Sequence, residues 1–302
     1  MLTVAAAGCA VSDNAPKEAA SESAPATDVQ DSDAQDSVAL APPSQDTVRE
    51  IEPIVGDGVQ ERRIRVGGLT RTYVVSLPPF VEHRERLPLV LVFHGYGQQA
   101  ESLRQHSGMD RADAVVAYLQ GVDNAWAPAP YAATTGEQDL AFFDAVRAEL
   151  IAEYDLDPAR VFVTGFSNGG GFAAYVGCQR PQEVTAVGTV AAAFYESTTA
   201  GCSAIPMKRI DFHGTEDTIM RYDGGRKYGT VYEASEANID EAAQRNRCVG
   251  APLISRISDE VVVRRWLDCD ADTEHYRVDG GGHAWPAFAT QRQLEFFGIP
   301  AR

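Results

Sequence analysis

Gly165-Phe166-Ser167-Asn168-Gly169-Gly170 follows directly on the apolar run Val161-Phe162-Val163-Thr164. A strand that ends in G-x-S-x-G and reverses into a helix puts its serine on a strained tip, with the hydroxyl exposed at the end of a sheet. The amide N–H of Asn168 and the helix start behind it would favour a negative oxygen at the same point. This is the chemistry of a serine attacking a carbonyl carbon. Taken alone, the pattern also fits an ordinary Gly-Ser turn, so the reading depends on partners elsewhere in the chain.

Two partners stand in the order Ser, Asp, His that an open α/β sheet requires of such a triad. Arg209-Ile210-Asp211-Phe212-His213-Gly214 reads as a short strand, and Asp217 falls in the turn beyond it. An acid there can accept Nδ1–H of a histidine and stabilise the imidazolium formed during attack. Glu216 and Asp211 are rival acids, one a position off the pattern and the other inside the strand. His283 sits in Gly280-Gly281-Gly282-His283-Ala284-Trp285-Pro286, after the alternating strand Thr273–Val278. A glycine-rich loop lets a histidine ring enter a cleft unobstructed by its own backbone, so His283 is the expected general base. His213 is the alternative base, but it precedes the acid in sequence and is expected instead to brace the turn that presents Asp217; His83, His106 and His275 read as surface residues.

A fourth element would complete the site. Leu89–Phe93 is unbroken and apolar, as a buried parallel strand should be, and it runs into His94-Gly95-Tyr96-Gly97. The backbone N–H groups of Tyr96 and Asn168 are the expected oxyanion donors; one such side-chain donor is worth roughly 10²–10³ in turnover. His94 is expected to be structural. Among loop aromatics, Trp285 and Tyr195 are the candidate substrate-binding residues, with Trp126, Tyr131 and Phe288 also in loops; all of them could equally pack loops onto the core.

The remaining elements must place these residues. Segments 62–66 and 72–77 alternate around Gly67-Gly68 and read as an opening antiparallel hairpin. Strands are expected at Val115–Leu119, 184–192, 207–212 and Val261–Trp266, and helices at 139–154, 231–245 and 290–297. Strands alternating with helices predict a mostly parallel sheet covered on both faces, with no long lid and an open cleft.

Composition divides the chain. Residues 10–50 are rich in Ala, Ser, Asp, Gln and Pro without an aromatic, with nine acids against Lys17 and Arg49, and they carry −7 of the net charge of −17. Such a segment buries too little apolar surface to order itself and is expected to be a disordered tether, with a mean reach of ~35 Å. The acidity argues against nucleic acid as a partner and against charge-driven binding to an anionic membrane. Residues 1–9 end in small residues before Cys9, as the end of a lipoprotein signal would, with Cys9 then the lipidated N-terminus; a plain secretory signal with an incidental cysteine is the alternative. A lipid anchor would be the chain's one attachment to a membrane, and the expected location is exported, at the cell envelope or secreted. Residues 51–302 read as a single catalytic domain. Cys178, Cys202, Cys248 and Cys269 form an even set with three possible pairings. The chain has no Cys-x-x-Cys pair, so no metal site is expected; no cofactor is expected either.

Taken together, HGYGQ, DPARVFVTGFSNGG, HGTEDTIMRY and GGGHAWP make the chain resemble the polyhydroxybutyrate-depolymerase-like esterases, a group that also holds feruloyl and acetylxylan esterases. The likeness runs from about Arg62 to Phe297. It implies an α/β-hydrolase fold, a triad of Ser167, Asp217 and His283, and hydrolysis of an ester substrate through an acyl-enzyme. It also points to the pairings Cys178–Cys202 and Cys248–Cys269, each of which joins neighbours. Two departures lie near the rim: Met220-Arg221-Tyr222 where the family tends toward Val-Pro-Tyr, and Ala287 where it commonly has Gly. The implied substrates are polyhydroxybutyrate-type polyesters or oligomers, or feruloyl and acetyl esters of plant polysaccharide. The rival readings are a surface-anchored binding protein retaining an inactive hydrolase shell, and a serine peptidase.

Overall fold

The structure is a computed structural model that describes residues 49–51 and 58–302. The expectations for the signal remnant, Cys9 and nearly all of the tether lie outside the described residues. In chain order the elements begin with β1 (Arg49–Ile51), β2 (Val59–Val66), β3 (Leu69–Ser76), β4 (Leu89–Phe93), α1 (Ala100–Ser107) and β5 (Val115–Leu119). There follow α2 (Gly136–Tyr154), β6 (Val161–Phe166), α3 (Asn168–Gln179), β7 (Ala186–Val190), α4 (Glu196–Thr199) and β8 (Lys208–Gly214). The chain closes with β9 (Gly225–Lys227), β10 (Thr230–Tyr232), α5 (Ser235–Arg245), β11 (Leu253–Ser258), β12 (Val261–Trp266), β13 (Thr273–Val278) and α6 (Ala289–Phe297).

Among the described residues, eleven strands form one sheet in the order β1-β2-β3-β5-β4-β6-β7-β8-β13-β12-β11. The six from β5 to β13 are parallel, and antiparallel ribbons extend both edges. Alternation along β4 shows how the two faces are filled. Leu89, Leu91 and Phe93 join a core that includes Leu140, Phe143, Val146 and Leu150 of α2 and Phe172 and Val176 of α3. Val90 and Val92 join the opposite core, with Leu103 of α1 and Leu294 and Phe297 of α6. A strand buried on both faces must be apolar at every position, which is why β4 and β5 read as unbroken runs. This is the expected α/β architecture with helices on both faces.

Helix α2 starts three residues before its expected position. Thr135 and Gln138 form a reciprocal capping box, the Thr135 hydroxyl accepting from the Gln138 amide and the Gln138 side chain accepting from the Thr135 amide. Segment 231–245 departs from expectation. Val231 and Tyr232 belong to β10, whose partner is β9, and the helix begins only at Ser235.

Candidate active site

Ser167 occupies the corner between β6 and α3 with φ 54° and ψ −117°. A side chain in that backbone region costs about 1–3 kcal/mol and persists only where the surroundings over-determine it. Here they do. Its N–H donates to Val190 O at 2.9 Å, and its C=O accepts from Gly171 N and Ala193 N, both at 3.0 Å. The corner also needs close packing: a Cβ on Gly169 would lie 2.1 Å from Phe93 O. The expected strand, turn and helix around Ser167 are therefore present.

Asp217 lies beyond the end of β8, in the turn where it was expected. One carboxylate oxygen, Oδ1, accepts from the amides of Ile219 and Met220 at 2.8 Å each. The other, Oδ2, lies 2.7 Å from His283 Nδ1 and 3.2 Å from His213 Nε2. Burial alone would raise this carboxyl, but the hydrogen bonds from His213 and His283 and the Met220 amide hold it well below the usual carboxylate range. It is thus an anion at neutral pH. The His283 ring leans on Phe166, the residue before Ser167, with ring centroids 4.8 Å apart. The structure thus brings the His283–Asp217 pair beside the Ser167 corner.

His213 sits in β8 with its Nε2 also 2.7 Å from Met220 O. It is buried, and Asp217, first among its partners, raises its pKa against the opposing effect of burial. His275, expected at the surface, is instead fully buried in β13. Its Nδ1 lies 2.9 Å from Asp211 Oδ2 and its Nε2 2.8 Å from the Tyr222 hydroxyl. Asp211 further accepts from Thr189 and Ser235. An alternating strand implies one wet face, but both faces of β13 are covered: Tyr276 joins the core under α6, and His275 lies beside Asp211, to which Ser235 of α5 donates.

The loop after β4 is shaped by His94. Burial lowers its pKa to about 4, so the ring is neutral at pH 7. The hydrogen-bond pattern then assigns the tautomer: Nδ1–H donates to Gly95 O at 2.8 Å, and Nε2 accepts from the Gly121 amide at 2.9 Å. Gly97 N donates to Asn124 O at 2.8 Å, and Gln98 Oε1 accepts from Gly95 N at 3.0 Å. The loop passes close to the serine, since a Cβ on Gly95 would lie 3.3 Å from Ser167 Cβ. Among the described residues, neither the Tyr96 nor the Asn168 amide N–H has an acceptor within the protein. The Asn168 side chain is committed elsewhere, its Oδ1 accepting from Trp126 N at 2.8 Å and its Nδ2 donating to Trp126 O at 3.0 Å. Trp126, which sequence left between pocket and packing, is fully buried and stacks on Phe172 at 4.9 Å. No motif announced its role in tying the serine corner to the loop after β5.

The two candidate substrate-binding residues sit in different surroundings. Trp285 donates its Nε1–H to Thr290 Oγ1 at 2.9 Å and packs with Phe288 toward the α6 face of the sheet. Tyr195 is 1% exposed, edge-on to Tyr131 and Tyr232. Tyr195 thus covers core, as a large ring in a loop often does, whereas Trp285 is only partly buried. Both disulfides follow the expected pairings, Cys178–Cys202 and Cys248–Cys269, closing sequence separations of 24 and 21. The first fastens the end of α3, and the second ties the end of α5 to the turn before β13.

Comparison with known proteins places the chain. It is 30% identical over 183 residues to the Nocardia uniformis subsp. tsuyamanensis protein named as an esterase, NocK, covering 58% of this chain and 53% of that one. With feruloyl esterase B of Piromyces equi it shares 26% over 230 residues, covering 71% of this chain and 42% of that one. The chain thus spans about half the length of these two relatives. An acetyl xylan esterase from Aspergillus awamori superposes with a TM-score of 0.58 at 14% identity, over 83% of this chain and 99% of that one. That likeness shows a shared α/β-hydrolase fold. The family model described as Esterase PHB depolymerase matches residues 71–223, half of the chain, and the chain belongs to that family.

Proposed function

We propose that the protein is a serine carboxylic-ester hydrolase working through an acyl-enzyme. The observation that carries this reading is the His283–Asp217 pair resting on Phe166, beside a serine held at positive φ. Ser167 Oγ attacks the ester carbonyl carbon while His283 Nε2 takes its proton; the carbonyl oxygen becomes an oxyanion facing the amides of Tyr96 and Asn168. Collapse of the tetrahedral species breaks the bond to the alcohol, which leaves with the proton from His283. Water, deprotonated by the same imidazole, then attacks the acyl-serine and frees the acid. Asp217 stays ionised throughout, holding Nδ1–H and stabilising the imidazolium. Family membership supports this chemistry, and no feature of the described residues favours a peptide over an ester.

The substrates proposed are feruloyl or acetyl esters of plant polysaccharide, or hydroxyalkanoate polyesters and oligomers. The names of the relatives support the first group and the family's description supports the second. We further propose that the protein is exported; two disulfides support an oxidising compartment. The test is Ser167→Ala, assayed on p-nitrophenyl acetate and with a fluorophosphonate probe. Turnover and labelling should both disappear while the thermal midpoint stays within a few degrees. A variant that still turns over the ester, or a parent protein that the probe fails to label, would remove the mechanism and favour an inactive hydrolase shell.

A further inference from the structure

Three tyrosines from separate segments meet next to the oxyanion loop. Tyr96 belongs to that loop, Tyr131 to the connection between β5 and α2, and Tyr228 to the tip of the β9–β10 hairpin. Their ring centroids are 4.3 Å apart for Tyr96 and Tyr131, 4.7 Å for Tyr131 and Tyr228, and 6.4 Å for Tyr96 and Tyr228. Tyr131 is half-buried on Ala129, Ala193 and Met220, whereas Tyr96 and Tyr228 are each about half exposed, at 49% and 50%. Three aromatic rings clustered in this way offer apolar faces to whatever occupies the site.

Tyr228 is an unfavourable choice for the turn it occupies. The hairpin has a two-residue loop, Tyr228-Gly229, with φ of 52° and 80°. Two successive positive φ values are those of a type I′ turn, whose first position favours Asn, Asp or Gly because a larger side chain is strained there. Closing the hairpin does not require tyrosine; what the residue supplies is the position of its ring. That position is well anchored. Lys227 Nζ donates to Ile219 O at 3.3 Å, in the turn that Asp217 caps. Arg221 N donates to the Tyr232 hydroxyl at 3.3 Å, and Glu233 N to Phe194 O at 2.8 Å. The hairpin is thus strapped to the acid turn, and Tyr228 is held against Tyr131, near Tyr96 of the oxyanion loop, by a strained backbone. Local rules broken without structural need are a mark of functional positions.

The chemistry indicates which part of an ester these rings would meet. The alcohol leaves with a proton from His283 and so departs on that side. The acyl group stays on Ser167 with its carbonyl oxygen toward the Tyr96 amide, and the tyrosine rings begin at that same residue. We propose that Tyr228, together with Tyr96 and Tyr131, forms a specificity-determining surface that stacks a flat aromatic ring carried by the acyl group. The proposal rests on the ester-hydrolase reading and narrows it toward aryl-acyl esters over short aliphatic ones.

The experiment compares kcat/KM for methyl cinnamate and methyl butyrate, which share one alcohol, in the parent protein, Tyr228→Asn and Tyr228→Phe. Asparagine suits the left-handed turn better than tyrosine, so a folding defect is not expected, and the thermal midpoint should be equal or higher. The cinnamate-to-butyrate ratio should fall about tenfold in Y228N, the scale of one lost aromatic contact, mainly through KM. It should stay within about twofold of the parent in Y228F. An unchanged ratio in Y228N, with butyrate still hydrolysed, would overturn the tyrosine surface and leave the esterase reading standing. A parent protein inactive on both esters would sink that reading, and this proposal with it.

Discussion

His213 Nε2 lies 3.2 Å from the Asp217 oxygen that also holds His283 Nδ1. One carboxylate oxygen therefore serves two imidazoles, only one of which faces the serine corner. Because the His213 ring is buried and also bonded to Met220 O, it acts as a brace: it positions Asp217 and lowers the carboxyl pKa from behind.

Replacing that brace should have a defined cost. His213→Leu removes a donor from a buried charged acceptor, worth about 1.5–3 kcal/mol of stability, and should lower kcat through misplaced Asp217. His213→Gln, which can return an N–H at a similar reach, should recover most of both losses. Urea unfolding and ester kinetics on the two variants check this; equal behaviour of Leu and Gln would deny His213 a hydrogen-bonding role.

Asp217→Asn keeps the shape of the turn but offers Oδ1 and an amide where two anionic oxygens stood. By analogy with the same substitution in another triad hydrolase, kcat should fall about 10⁴-fold. Stopped-flow acylation on an activated ester reads this directly, and a fall of less than tenfold would count against Asp217 as the acid.

Acid stability should depend on Asp211. Burial would raise its carboxyl, but the His275 hydrogen bond and nearby positive charge lower it to about 2. A carboxyl depressed on folding stabilises the native state above its unfolded pKa of about 3.9. That contribution is lost as pH falls through the folded value. Unfolding free energy should therefore drop between about pH 4 and pH 2, and Asp211→Asn should flatten this limb. Parallel urea titrations from pH 5 to pH 2 decide it; identical slopes would refute the linkage.

Each disulfide should contribute about 3 kcal/mol in the chain-entropy account of loops of this length. Cys178→Ser/Cys202→Ser and Cys248→Ser/Cys269→Ser should each lower the thermal midpoint by several degrees. Calorimetry on the paired variants checks it, and a midpoint unmoved in either would show that bridge to be energetically idle.

Gly169→Ala should be among the most damaging single-methyl additions, because the new Cβ would meet the backbone oxygens of Phe93 and His94 at 2.1 Å and 2.4 Å. Backbone cannot rotate away as a side chain can, so a loss of about 3 kcal/mol is expected. Unaltered denaturation midpoints would contradict the packing described for this corner.

Several elements were legible from residue order alone. Leu89–Phe93, Val115–Leu119, Val261–Trp266 and Thr273–Val278 begin and end where their apolar or alternating patterns do. Ser167, Asp217 and His283 could be singled out because each lies on a local motif whose turn chemistry is written in neighbouring residues. The β9–β10 hairpin was not legible: its Tyr-Gly turn lacks the usual Asn-Gly signal, and Val231 and Tyr232 join smoothly onto a helical pattern. Strand β11 was missed because it is an edge strand exposed at every position, so burial imposes no pattern on it.

What the order of residues determined, then, is everything governed by contacts within a few positions: strand periods, caps, glycine turns and the order of the chemical groups. Only the tertiary structure decided which surfaces those groups share. His275 became buried because α5 covers its face of the sheet. Trp285 became an anchor on α6, and His213 came to share the carboxylate of Asp217. These outcomes depend on packing between segments distant in the chain, where burial and hydrogen-bond satisfaction are settled jointly and no local pattern records the result.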